Sequence, residues 1–139
     1  IRQREDWRDV VGTPDQPGSG LMPHLVMQGN PVFRWAVYAM AKVAAEALER
    51  AGISADELDL FVPHQANMRI IDAMAKAMKL PATVRVARDI ADQGNTSAAS
   101  IPLALDRMIA EGEARSGDTA LLIAFGAGLA YAAQVVTVP

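Results

Sequence analysis

No cysteine occurs among the 139 residues, which removes disulfides, thiolate metal sites and any thiol nucleophile from this chain. Histidine is nearly as scarce: the two present, His24 and His64, form no pair at ligand spacing, so a zinc site has no natural starting point. No segment reaches the roughly 20 uncharged apolar residues that a membrane span requires. Neither sign of charge dominates, since 13 Lys+Arg against 16 Asp+Glu give a net charge of −3, and a domain-wide basic field for nucleic acid is excluded. No basic n-region with an apolar h-region follows Ile1, so nothing reads as a signal peptide. A start at Ile1 rather than Met reads as a fragment or a processed chain. What is present, 51% hydrophobic and 21% charged residues, is the composition of one soluble domain with one core.

The Gly/Pro cluster from Gly12 to Gly20 predicts a loop, and Leu21 to Gln28 an edge strand or extended lead-in, because Pro23 argues against a central strand. Asn30-Pro31 predicts a helix start, Asn as cap and Pro at the first helical position. Phe33, Val37, Met40, Ala44 and Leu48 then form one apolar stripe up to Gly52. Leu58 to Val62 is too short for a helix and reads as a buried strand ended by Pro63. Asn67 caps a second helix with Ile70, Ile71, Met74 and Met78 on one face, running to Leu80-Pro81. Thr83 to Val86 is strand-like and Arg88 to Gly94 a polar connection. A third helix starts between Thr96 and Ile101 and ends before Gly112, with Pro102 in its first turn. Thr119 to Val138 reads as two strands around Gly126-Ala127-Gly128. Three helices interleaved with strands and closed by a hairpin predict an α/β fold with a mixed sheet.

Three stretches carry chemistry. His64 stands at the exit of a buried strand and just before a helix, where open α/β sheets gather their ligand and catalytic groups, although a hydrogen-bonded structural histidine has the same look. His24, near the loop, has no such setting. Gly94-Asn95-Thr96-Ser97-Ala98-Ala99-Ser100 is a small, polar run that brings amides to a helix start, or an ordinary cap loop. Gly126-Ala127-Gly128 offers backbone N–H groups to an oxyanion, or simply turns a hairpin. Ser and Asp are plentiful enough for a Ser-His-Asp hydrolase, but no Gly-x-Ser-x-Gly elbow precedes a helix, and Gly18-Ser19-Gly20 lies in the wrong context.

Taken in order, Pro63-His64-Gln65-Ala66-Asn67, Gly94 to Ser100 and Phe125-Gly126-Ala127-Gly128 resemble the β-ketoacyl-acyl carrier protein synthase III family. The resemblance extends back through Gly29-Asn30-Pro31-Val32-Phe33-Arg34. Phe33-Arg34-Trp35-Ala36 and Tyr131-Ala132-Ala133-Gln134 are similar to actinobacterial members. It implies the C-terminal half of the thiolase-like fold, with residues 28–139 forming that half-domain. Residues 1–27 would be a loop or lead-in from the end of the missing half or its linker.

The same resemblance implies the initiating condensation of fatty acid synthesis: an acyl-CoA plus malonyl-acyl carrier protein, with decarboxylation, gives β-ketoacyl-acyl carrier protein. His64 and Asn95 would be catalytic, and the Ala127 amide would serve an oxyanion. Gly29, Asn30, Phe33, Ala66, Asn67 and Phe125 would line the pantetheine tunnel, and Arg34, Arg69 and Lys76 would meet the acidic carrier protein. No cofactor or metal is implied beyond coenzyme A and the carrier's phosphopantetheine as substrate carriers. The implied partners are an N-terminal half carrying the Cys nucleophile, the acyl carrier protein and a second copy of the complete enzyme, in the cytoplasm, with no nucleic acid or membrane. Without Cys, this chain alone should be inactive. A polyketide starter synthase and a noncatalytic partner subunit are the competing readings.

Overall fold

The computed structural model describes residues 29–126, 128 and 130–139, and the backbone of 2–3, 12–13, 16–17 and 25–26. Those four pairs are β1 (Arg2–Gln3), β2 (Gly12–Thr13), β3 (Gln16–Pro17) and β4 (Leu25–Val26). β2 pairs antiparallel with β3 inside the Gly/Pro cluster expected to be a loop, and β4, within the expected edge segment, pairs antiparallel with β1.

The first long helix, α1 (Gly29–Ala51), places Asn30 and Pro31 inside its first turn rather than at its boundary. Its buried arc is Val32, Ala36, Val37, Met40, Ala44 and Leu48. Phe33, expected on that stripe, sits at the edge of the arc and is only half-buried. A 3-10 turn at Ala55–Glu57 leads to β5 (Leu60–Pro63), whose four residues are all buried. Asn67 caps α2 (Met68–Ala77) as expected, its side chain accepting the Arg69 N–H at 2.8 Å. The helix stops three residues short of Leu80 because Lys79 turns left-handed at φ 54° and the Leu80 N–H returns to the Ala75 carbonyl at 3.1 Å.

After β6 (Arg85–Val86), the expected polar connection contains a short helix, α3 (Ile90–Gln93). The ambiguous start of the next helix resolves into a 3-10 turn at Ser97–Ala99 followed directly by α4 (Ser100–Ala110). β7 (Thr119–Phe125) and β8 (Tyr131–Thr137) form the expected closing hairpin, in register from Thr119↔Thr137 to Phe125↔Tyr131.

The sheet has the order β6-β5-β7-β8, the first three parallel and β8 antiparallel, so the mixed α/β architecture is as expected. Side chains alternate across β5 and β7 and divide the core in two. Phe61, Leu121 and Ile123 pack with Met40, Ala44, Ile70 and Met74 of α1 and α2. Leu60, Val62 and Ala120 pack with Ala104 and Met108 of α4. β5 is covered on both faces, which is why its sequence is a continuous apolar run instead of an alternating one. β5 ends at Pro63, opposite Ile123, and β7 runs two residues further to Phe125; this carboxyl end of the parallel strands holds the candidate site.

Candidate active site

His64 follows the last residue of β5 and its N–H still donates to the Ile123 carbonyl at 2.8 Å, so the sheet ladder fixes its backbone. The alternation of the strand sends it to the side of Leu60 and Val62, which α4 covers. There its Nδ1 lies 2.6 Å from the Ser100 hydroxyl, on the first residue of that helix. The Phe125 ring meets the imidazole edge-on, with centroids 5.8 Å apart. Burial pushes the pKa of His64 below its ordinary value of 6.5, because the imidazolium would lose its hydration, and so favours the neutral ring.

Gln65 is fully buried, and its amide is saturated. Nε2 donates to the carbonyls of Pro63 at 2.7 Å and Ala87 at 3.3 Å, and Oε1 accepts the Ile90 N–H at 3.0 Å. One side chain thus joins the end of β5 to the connection after β6 and the start of α3. The Gln65 N–H donates to Ser100 Oγ at 3.2 Å.

Asn95 lies on the exposed loop between α3 and α4, and the backbone on both sides is unusual. Gly94 has φ 70° and ψ −163°, a region open essentially to glycine, and Ser97 has φ 56°. Asn95 Oδ1 accepts the Ser97 N–H at 2.9 Å. A backbone N–H needs an acceptor, so this bond assigns the oxygen and leaves the NH₂ as the outward donor. Asn95 and Ser100 belong to one continuous turn and helix start, so the segment bearing Asn95 is anchored at His64 through Ser100. No hydrogen bond joins His64 to Asn95 directly among the described residues.

Phe33 lies under the Arg69 guanidinium, 6.0 Å from ring centroid to carbon, which brings the first turns of α1 and α2 together. Gly29 and Asn30 open α1 at the exposed surface, Ala66 is half-buried beside His64, and Asn67 is exposed. Trp35 extends the aromatic contacts from Phe125, at 5.9 Å, to Tyr131, at 6.1 Å. Arg34, Arg69 and Lys76 are all exposed. Ala127 and His24 lie outside the described residues. Among the described residues no group of three His, Asp or Glu side chains could hold a metal ion, and no helix is long and apolar enough to cross a membrane.

His64 and Asn95 stand out by residue type, whereas Gln65 and Ser100 do not, although both lie in the motifs around them. The available signal was a buried-strand exit followed by an uncharged amide, and a serine at a helix start. Neither identifies its partner, 22 to 36 residues away in the chain.

Residues 48–138 match the family model described as 3-oxoacyl-[acyl-carrier-protein (ACP)] synthase III C terminal. The whole chain is 59% identical over 145 residues to β-ketoacyl-[acyl-carrier-protein] synthase III 1 of Streptomyces coelicolor, covering 42% of it. It is 50% identical over 139 residues to the mycobacterial β-ketoacyl-[acyl-carrier-protein] synthase III of Mycobacterium avium, covering 40%. The chain therefore spans about two fifths of the length of these relatives. Among solved structures, a priming β-ketosynthase of a polyketide biosynthetic pathway superposes with a TM-score of 0.84 at 47% identity, over 97% of this chain and 39% of the other. The 3-oxoacyl-(acyl carrier protein) synthase III of Pseudomonas aeruginosa gives 0.77 at 43% identity, over 82% and 35%. The four-stranded mixed sheet and its helices match the C-terminal part of these thiolase-like structures.

Proposed function

This chain belongs to the 3-oxoacyl-[acyl-carrier-protein] synthase III family, as its C-terminal part, and from that premise we propose that it supplies the His/Asn half of a decarboxylating condensation site. The observation that carries the reading is His64: a part-buried imidazole held at Nδ1 by Ser100, at the carboxyl end of β5 where the Asn95 loop is anchored, with burial favouring its neutral form. Residues 28–139 are then the catalytic half-domain and residues 1–27 its lead-in.

Decarboxylation of a malonyl thioester breaks the bond to the carboxylate, releases carbon dioxide and leaves its electron pair as an enolate with charge on the thioester oxygen. Two fixed neutral donors, an imidazole N–H and the Asn95 NH₂, stabilise that charge without first protonating the substrate. The carbanion attacks an acyl thioester on a cysteine, whose thiolate leaves, and the new carbon–carbon bond gives the β-ketoacyl thioester. That cysteine must come from elsewhere, since this chain has none. The Ala127 amide is assigned to the second oxyanion. Gly29, Asn30, Phe33, Ala66, Asn67 and Phe125 are assigned to the pantetheine path, Arg34, Arg69 and Lys76 to the acidic carrier protein.

The test is acyl transfer. The isolated chain should take up no radiolabel from an acyl-CoA, whereas the chain joined to a Cys-bearing N-terminal half should be acylated and then condense with malonyl-carrier protein. Stable labelling of the isolated chain would overturn the assignment. The likeness to a polyketide priming ketosynthase supports a second reading with the same chemistry and a different starter. Comparing acetyl, branched and longer acyl-CoA starters in the joined enzyme separates the two.

A further inference from the structure

Ser100, the first residue of α4, is 1% exposed, and its hydroxyl oxygen has two partners, the Gln65 N–H at 3.2 Å and His64 Nδ1 at 2.6 Å. A backbone N–H can only donate, so Ser100 Oγ is the acceptor in the first contact. The second contact has two directions. If Nδ1 carried the ring proton, Oγ would accept twice and its own hydrogen would need another acceptor. Among the described residues Ser100 Oγ has no third partner, and a buried hydroxyl hydrogen left unmatched is costly. If the hydroxyl donates to Nδ1, every group in the chain Gln65 N–H, Ser100 O–H, His64 Nδ1 is paired. A neutral imidazole carries one N–H, which then stands on Nε2.

We propose that Ser100 is a positioning residue that fixes His64 in its Nε2–H tautomer, with the buried Gln65 peptide setting the direction of the Ser100 hydroxyl. Gln65 can hold that direction because its own amide is bonded to Pro63, Ala87 and Ile90 and cannot rotate freely. The consequence for chemistry rests on the proposed role of His64, since an enolate oxygen needs a donor at the nitrogen facing it, and Nδ1 is already occupied.

The experiment is nitrogen NMR of ring-labelled histidine in the complete enzyme, this chain with its Cys-bearing half, the His64 signals being assigned by their loss in His64→Gln. In the wild type at neutral pH, Nε2 should resonate as the protonated nitrogen and Nδ1 as the unprotonated one. Ser100→Ala should give a mixture of tautomers and slow malonyl decarboxylation by about three- to tenfold, the scale of one lost hydrogen bond. Acylation of the cysteine should be nearly unchanged, and Ser100→Thr, which keeps the hydroxyl, should restore both the spectrum and the rate. A protonated Nδ1 in the wild type would overturn the proposal, and that measurement stands even if Ser100→Ala does not fold. An unchanged spectrum in Ser100→Ala would also overturn it. So would parallel loss of acylation and decarboxylation with no rescue by Thr, because Ser100 would then support only the fold. A tautomer shift with undiminished decarboxylation would instead uphold the Ser100 assignment and refute the proposed role of His64.

Discussion

Arg107 on α4 donates to the almost fully buried carboxylate of Asp89 at 3.0 Å and so ties the body of the helix back to the segment that leads into Asn95. The same guanidinium reaches Asp92 at 3.0 Å and Glu111 at 2.9 Å. Its pKa is raised by these partners, the hydrogen bond to Glu111 first and that to Asp89 next, so the cation is held firmly. A planar, multidentate group is needed to bridge three carboxylates, and lysine offers a single point charge. Arg107→Lys should therefore loosen α3, seen as faster amide exchange at Asp92, Gln93 and Gly94, whose N–H groups bond within that turn. An unchanged exchange pattern would class the network with exposed ion pairs that contribute little.

His64→Ala and Asn95→Ala, in the complete enzyme, should each lower malonyl decarboxylation by about 10²-fold or more, as expected for loss of one preorganised donor to an oxyanion. Cysteine acylation should survive better in both variants. Equal loss of the two half-reactions, measured in single turnovers, would contradict the division of labour.

The pH dependence follows from burial of His64. Its folded pKa lies below the 6.5 of an unfolded chain, so between those two values the unfolded state holds more protons than the folded one. Stability therefore rises with pH through that window, and the contribution is lost as pH falls through it. Decarboxylation, which needs the neutral ring, should keep its rate as pH drops through 6.5 and decline only below it. An imidazole titration above 6.5 by NMR would reverse the sign and show that a nearby anion outweighs desolvation.

Gln65→Leu keeps the volume of a fully buried side chain but strands the Ile90 N–H and the Pro63 and Ala87 carbonyls. It should destabilise the protein by at least about 1–3 kcal/mol, the cost of an unsatisfied buried polar group. Denaturant unfolding measures this directly, and a loss well under 1 kcal/mol would mean that water reaches these groups.

Arg69 projects from the first turn of α2 with its guanidinium over Phe33. Arg69→Glu places an acid near a helix N-terminus, where the dipole favours it, so the fold should be retained. Use of malonyl-carrier protein should weaken through slower encounter, with a shallower salt dependence than in the wild type. A malonyl-pantetheine fragment should be turned over almost normally, and equal loss with both donors would assign Arg69 to the fold or the active site instead.

The order of the three long helices and of the strands β5 to β8, the Asn67 cap, the closing hairpin and the absence of a thiol were all legible in the sequence, because caps, apolar periods and missing residue types are local properties of the chain. So was the choice of His64 and Asn95 as candidates, through their motifs. Tertiary structure decided the rest. Phe33 packs against the core at the end of the predicted stripe, and only the tertiary structure set its ring under Arg69 of another helix. α3 was unreadable because its four residues are too few to display a helical period. Ser100 met His64, 36 positions earlier, only when β5 and α4 packed together. Hydrogen bonds between elements distant in the chain leave no spacing to read, since they depend on how the layers stack: the sequence determined which groups could donate and accept, and packing determined which nitrogen of His64 meets the serine.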